Sequence, residues 1–151
     1  MSKKPTPMDA QLILHLYELR REPEMRKARS WWLQEFWPRN ADEYLQVAQS
    51  MGTPENAWQR QVGSYWGMAA SFVLQGVLNA EMFLQPSISG EMVFIFAKVH
   101  PFLKELREKN GDPESFKGIE TVINSSKFGR ERLKLTLKRV EAIREKRAAA
   151  K

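Results

Sequence analysis

The stretch from Thr53 to Leu84 constrains this chain most. Thr53-Pro54-Glu55 supplies an N-cap, a first-turn proline and an acidic first turn. QVGSYWGMAASFVLQGVLNAEMFL then runs from Gln61 to Leu84 and is apolar nearly all round a helical wheel. Gly63, Gly67, Ala70 and Leu74 share one face. Tyr65, Ala69, Phe72 and Leu78, with Trp66 and Val73, cover most of the rest. A helix apolar on every side belongs inside a bundle. Its short side chains predict close approach of a neighbouring helix, offsetting the roughly 0.8–1 kcal/mol that each helical glycine costs. The alternative is a ligand pocket against Tyr65 and Trp66. A membrane span is excluded, because Gln75, Asn79 and Glu81 interrupt the stretch before it reaches the about 20 predominantly apolar residues a span needs.

The remaining punctuation is also helical. Met8 to Arg21 has a broad apolar face of Leu12, Ile13, Leu16 and Leu19, with Asp9 at its positive end. Pro23 opens a second helix and Pro38 closes it; Met25, Ala28, Trp32 and Phe36 form its stripe. Asn40 and Glu43 have capping-box spacing for a short helix stopping at Gly52. The central helix ends at Gly76, and Asn79 caps a turn through Phe83. Ser87 to Gly90 reads as loop, with Ser89 capping a helix to Lys109 that Pro101 kinks or divides. Asp112-Pro113-Glu114 starts another helix to about Asn124, and a last one runs from about Phe128 to Arg147. The expectation is one all-α domain over residues 1–151, a bundle of six or seven helices around a central apolar helix at about 54–75. Residues 1–7 are expected to be flexible and 148–151 frayed.

A second observation is a resemblance. SYWGMAASFVLQGVLN, followed about twenty residues later by HPFLKELREKNGDPESF, resembles a family of small bacterial all-helical proteins catalogued only as a domain of unknown function. The match runs over about 61–123 and rests on Tyr65, Trp66, Ala70, Gly76, Leu78, Pro101, Lys104, Glu105, Leu106, Arg107, Asp112 and Pro113. These are packing and capping positions. Where many such proteins place an aromatic residue before the proline-containing segment, this chain reads FIFAKVH. The resemblance implies an all-α fold and a bacterial source, and brings no activity with it.

The inventory of reactive side chains is thin. Cysteine is absent, which removes disulfides, thiolate nucleophiles and Cys-ligated metals and fits a cytoplasmic location. The N-terminal MSKKPTPMDAQ has no apolar core of the secretory type. His15 and Glu18 share a helix face, but the paired Glu-x-x-His motifs of bundle metal sites do not occur. No Gly-x-Ser-x-Gly elbow or phosphate-binding glycine loop is present. Glu81 and Glu91 flank Pro86 and form the one carboxylate pair considered for acid–base work. No catalytic, cofactor or metal residues are assigned, and a non-enzymatic role is expected.

Binding is the better-supported class. ARSWWLQEFWPRN packs three of the five tryptophans into seven residues. Trp31 and Trp37 lie off the buried stripe, so they and Arg29 are the candidates for a protein contact, with burial by a second-layer helix as the competing expectation. Net charge is +6, and it is concentrated at one end. Lys127 to Lys151 holds ten Lys/Arg and three Glu, against 14 basic and 15 acidic residues elsewhere. Arg130, Lys134, Lys138, Arg139 and Arg144 are the candidate basic surface. The first expectation is a protein partner or a homo-oligomer. The second is non-specific binding of nucleic acid or an anionic surface by the basic helix. The third is a small-ligand protein or enzyme with a pocket near Tyr65, Trp66 and Glu81.

Overall fold

A computed structural model describes residues 3–151, and all their regular structure is helical. Thr6 and Asp9 form a reciprocal capping box that opens α1 (Pro7–Leu19). The Glu22 carboxylate caps α2 (Pro23–Ser30), which runs directly into a π-helical turn at Trp31–Glu35. Asn40 and Thr53 cap α3 (Ala41–Gln49) and α4 (Pro54–Leu74). A four-residue helix, α5 (Ala80–Phe83), leads to α6 (Pro86–Val99). A 3-10 turn at His100–Phe102 separates α6 from α7 (Leu103–Asn110). The chain finishes with α8 (Lys117–Asn124) and α9 (Lys127–Ala149). Pro101 divides one expected helix and α5 forms a short helix of its own, so the described residues hold nine α-helices with one π and one 3-10 turn.

The central-helix expectation holds. α4 is packed by α2, α3, α8 and the π turn, and Val62, Tyr65, Trp66, Ala69 and Ala70 are buried. Two buried polar residues of α4 complete α3 rather than disturb the core. Asn56 Nδ2 donates to the carbonyls of Val47 (3.0 Å) and Ala48 (2.9 Å), and Gln59 Nε2 donates to Tyr44 O (3.1 Å). The Val47 and Ala48 carbonyls belong to the last turn of α3, where helical partners run out. Gly76, at φ +75°, ends α4 with a bond to Val73 O while Val77 N reaches Phe72 O.

Four local expectations are corrected. Gly63 and Gly67 do not receive a neighbouring helix: a Cβ at either would meet nothing within 4 Å. They line an open groove with Tyr44, Arg60 and Phe116. α8 meets α4 at Gly118, where a Cβ would be in ordinary contact, 3.7 Å from Leu74 and 4.0 Å from Ala70; the close approach falls at Gly129 of α9, where a Cβ would lie 2.0 Å from Ile123 O. Residues 87–90 are not a loop, because Pro86 already sits in the first turn of α6 and Ser89 is a break inside it (φ −119°, ψ 15°). Asp112 starts no helix; its carboxylate accepts from Glu114 N (2.9 Å) in a local turn that competes with helix entry. Finally, the Pro23 helix does not stay α-helical up to Pro38. Phe36 N donates to Trp31 O five residues back (2.9 Å), which lets the Trp31 and Phe36 rings stack at 4.3 Å. The wider turn places Trp31, Trp32 and Phe36 all in the core.

Asp9 does more than offset the dipole of α1. Its Oδ1 accepts from Asn79 N (2.8 Å) and its Oδ2 from Thr6 N (2.7 Å). These backbone donors hold the carboxyl below its usual range and fasten α1 to the start of α5. Asn79 Nδ2 also reaches the Lys3 carbonyl, so part of the expected flexible N-terminus is bonded to the body. Met1 and Ser2 lie outside the described residues. At the other end the helix continues through Ala149 into the segment expected to fray.

Candidate functional site

The π turn is where the sequence meets its hardest packing problem, and its solution creates a site. A π turn leaves carbonyls without ordinary helical partners. Two donors from distant elements and one from the adjacent chain supply them. Lys98 Nζ, from α6, donates to Trp32 O. Trp37 Nε1 and Arg147 NH1 both donate to Gln34 O, each at 3.2 Å. Arg144 NH2 then donates to the carbonyl of Lys98 itself (2.8 Å). The end of α9 is thus tied to the π turn and to α6 through backbone oxygens.

Trp37 is the centre of this arrangement. Lys98 Nζ lies 3.9 Å from its ring centroid, and the Arg147 and Arg144 guanidinium carbons lie at 5.2 and 5.7 Å. Phe94 meets the same ring edge-on at 5.8 Å. Three cations around one indole gain from its electron-rich face, yet no carboxylate forms an ion pair with any of them among the described residues. Lys98 is fully buried. Burial, with the Arg144 and Arg147 charges added, pushes its ammonium down to about 7.

Two cavities open beside this cluster. One, of about 610 Å³, is lined by Trp37, Arg39, Arg144, Arg147 and Lys151 with Glu35 and Glu43. The other, of about 410 Å³, is more apolar, with Ala97, Pro101, Phe102, Leu137 and Val140 on its walls and Glu141 at its edge. Arg39 and Arg144 line both. Arg39 is held by Glu43 (NH2 to Oε1 2.6 Å), and that hydrogen bond is the main reason the Glu43 carboxyl sits below its usual value. Arg144 has no such carboxylate; burial lowers its guanidinium.

The sequence-derived candidates distribute unevenly over this geometry. Trp31 is in the core, stacked on Phe36 and near Trp58 at 6.1 Å, so the exposed-anchor expectation passes to Trp37, which is half-buried. Arg29 is turned inward. Its NH2 and Nε donate to Glu91 Oε2 at 2.7 and 2.9 Å. Arg130, Lys134, Lys138 and Arg139 are exposed on α9, whereas Arg144 is half-buried at the Trp37 cluster. Tyr65 and Trp66 do line a pocket, under α1; Glu81 is exposed and outside that lining. The carboxylate beside Trp66 is Glu91, which accepts from its indole N–H at 3.2 Å. Arg39 and Lys98 are not among the sequence-derived candidates. Lys98 had a visible signal, the one cation in the apolar run Met92–Val99.

Among the described residues no group of three or more His, Asp or Glu is placed to hold a metal ion, and no helix is long and apolar enough to cross a membrane. The chain is an all-helical protein built round one central helix, with a cation-rich double cavity where its last helix meets a π turn. The family model described as "Domain of unknown function (DUF4760)" matches residues 5–126, and the chain belongs to that family. No curated protein and no solved structure matches it. The matched region ends at the N-cap of α9. It includes Trp37, Arg39 and Lys98, while Arg144 and Arg147 lie beyond it.

Proposed function

We propose that this protein is a non-enzymatic protein-interaction module. It docks an acidic segment of a partner against α9 and the double cavity at Trp37, with an apolar residue of that segment entering the Pro101–Phe102–Leu137 side. The observation that carries this reading is that Arg39 and Arg144 line both cavities. An apolar anchor and a carboxylate a few ångströms apart on one segment meet their complements there together, and buried apolar anchors flanked by charge are the usual core of such contacts.

A protein partner suits the outer face of α9 better than a phosphate backbone does. Phe128 and Leu135 are exposed there, and Glu131, Glu141 and Glu145 are interspersed with the cations. Glutamates on the contact face repel phosphates and lower the gain from counter-ion release.

The test uses a synthetic peptide in which Glu pairs flank Leu-Phe, titrated by calorimetry against the full chain. A charge-matched peptide with Ala-Ala in place of Leu-Phe, and a 20-base-pair duplex, serve as comparisons. The Leu-Phe peptide is expected to bind most tightly, and Arg144→Glu to weaken it roughly tenfold or more. Tightest binding by the duplex, with an affinity falling steeply with salt, would replace this reading with the nucleic-acid one.

A further inference from the structure

A second site lies at the opposite end of α6 from Lys98, where α1 crosses over Tyr65 and Trp66. A cavity of about 260 Å³ is enclosed there by Ile13, Leu16, Tyr65, Trp66, Phe83 and Ile88. Its walls are mostly apolar, with Ser87 among them, and Arg20 is its one charged residue. The Arg20 guanidinium carbon lies 5.0 Å from the Tyr17 ring centroid and 5.9 Å from that of Trp66. Its Nε is buried and has no hydrogen-bond partner. No carboxylate pairs with Arg20 among the described residues. The nearby Glu91 is already bonded to Arg29 and to the Trp66 indole.

A cation lining an apolar space without a carboxylate of its own is costly to desolvate, and the Arg20 guanidinium stands in that position. The apolar surround does not extend only inward: Leu14 and Tyr17, at the rim, are 64% and 48% exposed, a large apolar pair to leave in water at one opening. A cavity of about 150 Å³ lined by apolar side chains holds benzene, so this one has room for a ring and a short chain.

We infer that the cavity under α1 binds a small monocarboxylic acid with an aromatic or short aliphatic body, the body between Trp66, Phe83 and Ile88 and the carboxylate on Arg20. Charge-assisted pairing of a carboxylate with the Arg20 guanidinium selects acids over alcohols of the same shape. The site is separate from the Trp37 cavities and stands or falls independently of the docking proposed there.

The test follows the Trp66 Nε1–H signal of the full chain by NMR during titration with 3-phenylpropionate and with 3-phenylpropan-1-ol. The acid is expected to shift it saturably and to bind roughly tenfold or more tightly than the alcohol. Arg20→Met should bring the two probes to equal affinity, and Ile88→Phe, which fills the cavity, should abolish binding of both. Equal binding of acid and alcohol to the natural protein, or an acid affinity unchanged in Arg20→Met, would overturn the assignment. So would the absence of any shift with about 10 mM acid.

Discussion

Helix α6 carries two charged residues, Glu91 and Lys98, two turns apart, and its two ends handle buried charge in opposite ways. At the Glu91 end the cation is Arg29, bound by the carboxylate through two nitrogens, with the Trp66 indole also bonded to that carboxylate. The bond to Glu91 raises the Arg29 guanidinium above its ordinary value. At the other end Lys98 is more deeply buried and has a carbonyl and an indole ring but no carboxylate. Its ammonium falls to about 7. The same helix thus holds one neutralised pair, which stabilises the body, and one uncompensated cation. Excess positive charge left at the α9 end is what an acidic partner would neutralise.

Breaking the pair should have the largest effect. Glu91→Ala leaves Arg29 partly buried without its carboxylate and the Trp66 indole N–H without its acceptor. The expected loss is about 3–5 kcal/mol in urea unfolding. A loss below about 1 kcal/mol would mean that Arg29 finds water once released, and that the two ends differ less than their geometry implies.

Lys98→Met sharpens the contrast through its pH dependence. Methionine fills similar space without a cation, but it orphans the Trp32 carbonyl, at a cost of about 1–3 kcal/mol. At pH 7 the two effects oppose each other and the net change should be small. Between about 7, the folded value, and 10.5, the ordinary one, the unfolded chain holds a proton on this lysine that the folded chain does not. The contribution of Lys98 is therefore greatest above 10.5, and it is lost as pH falls through that window to about 7. Relative to Lys98→Met, the natural protein should gain roughly 2 kcal/mol or more between pH 7 and 10. Parallel curves for the two proteins would contradict this.

Smaller effects test the neighbours. Arg144→Gln removes the donor to Lys98 O and one of the like charges that press on the ammonium. It should cost about 1 kcal/mol at pH 7 and move the Lys98 titration upward. Gly63→Ala, far from both ends, should stabilise by about 0.5–1 kcal/mol, because the helix gains propensity and the new methyl meets open space. A loss there would restore the close helix contact that the sequence predicts.

What could be read from the sequence follows from which forces act locally. Thr53, Asn40, Pro23 and Gly76 mark their helix ends through capping and backbone geometry, which need only neighbouring residues. Trp66 reads as buried because its helix is apolar all round. The π turn could not be read this way: Met25, Ala28, Trp32 and Phe36 fit an α-helical stripe, and only the demand to bury Trp31 as well widens the turn. Gly63 and Gly67 misled because a small-residue face looks the same whether a helix or a groove lies over it. The pocket under α1 is half visible in the sequence, which points to Tyr65 and Trp66 but to Glu81 in place of Glu91. Separating those two carboxylates depends on Arg29, 62 residues from Glu91 in the chain. Arg20 gave no signal at all.

The most direct test is a ¹³C NMR titration of Lys98, assigned with Lys98→Met, in the whole 151-residue chain. A midpoint near 7 is the predicted result, and it would establish a buried cation without a counter-ion at the α9 end. A midpoint near 10.5 would mean that Lys98 is solvated or paired, and the contrast between the two ends of α6 would fail.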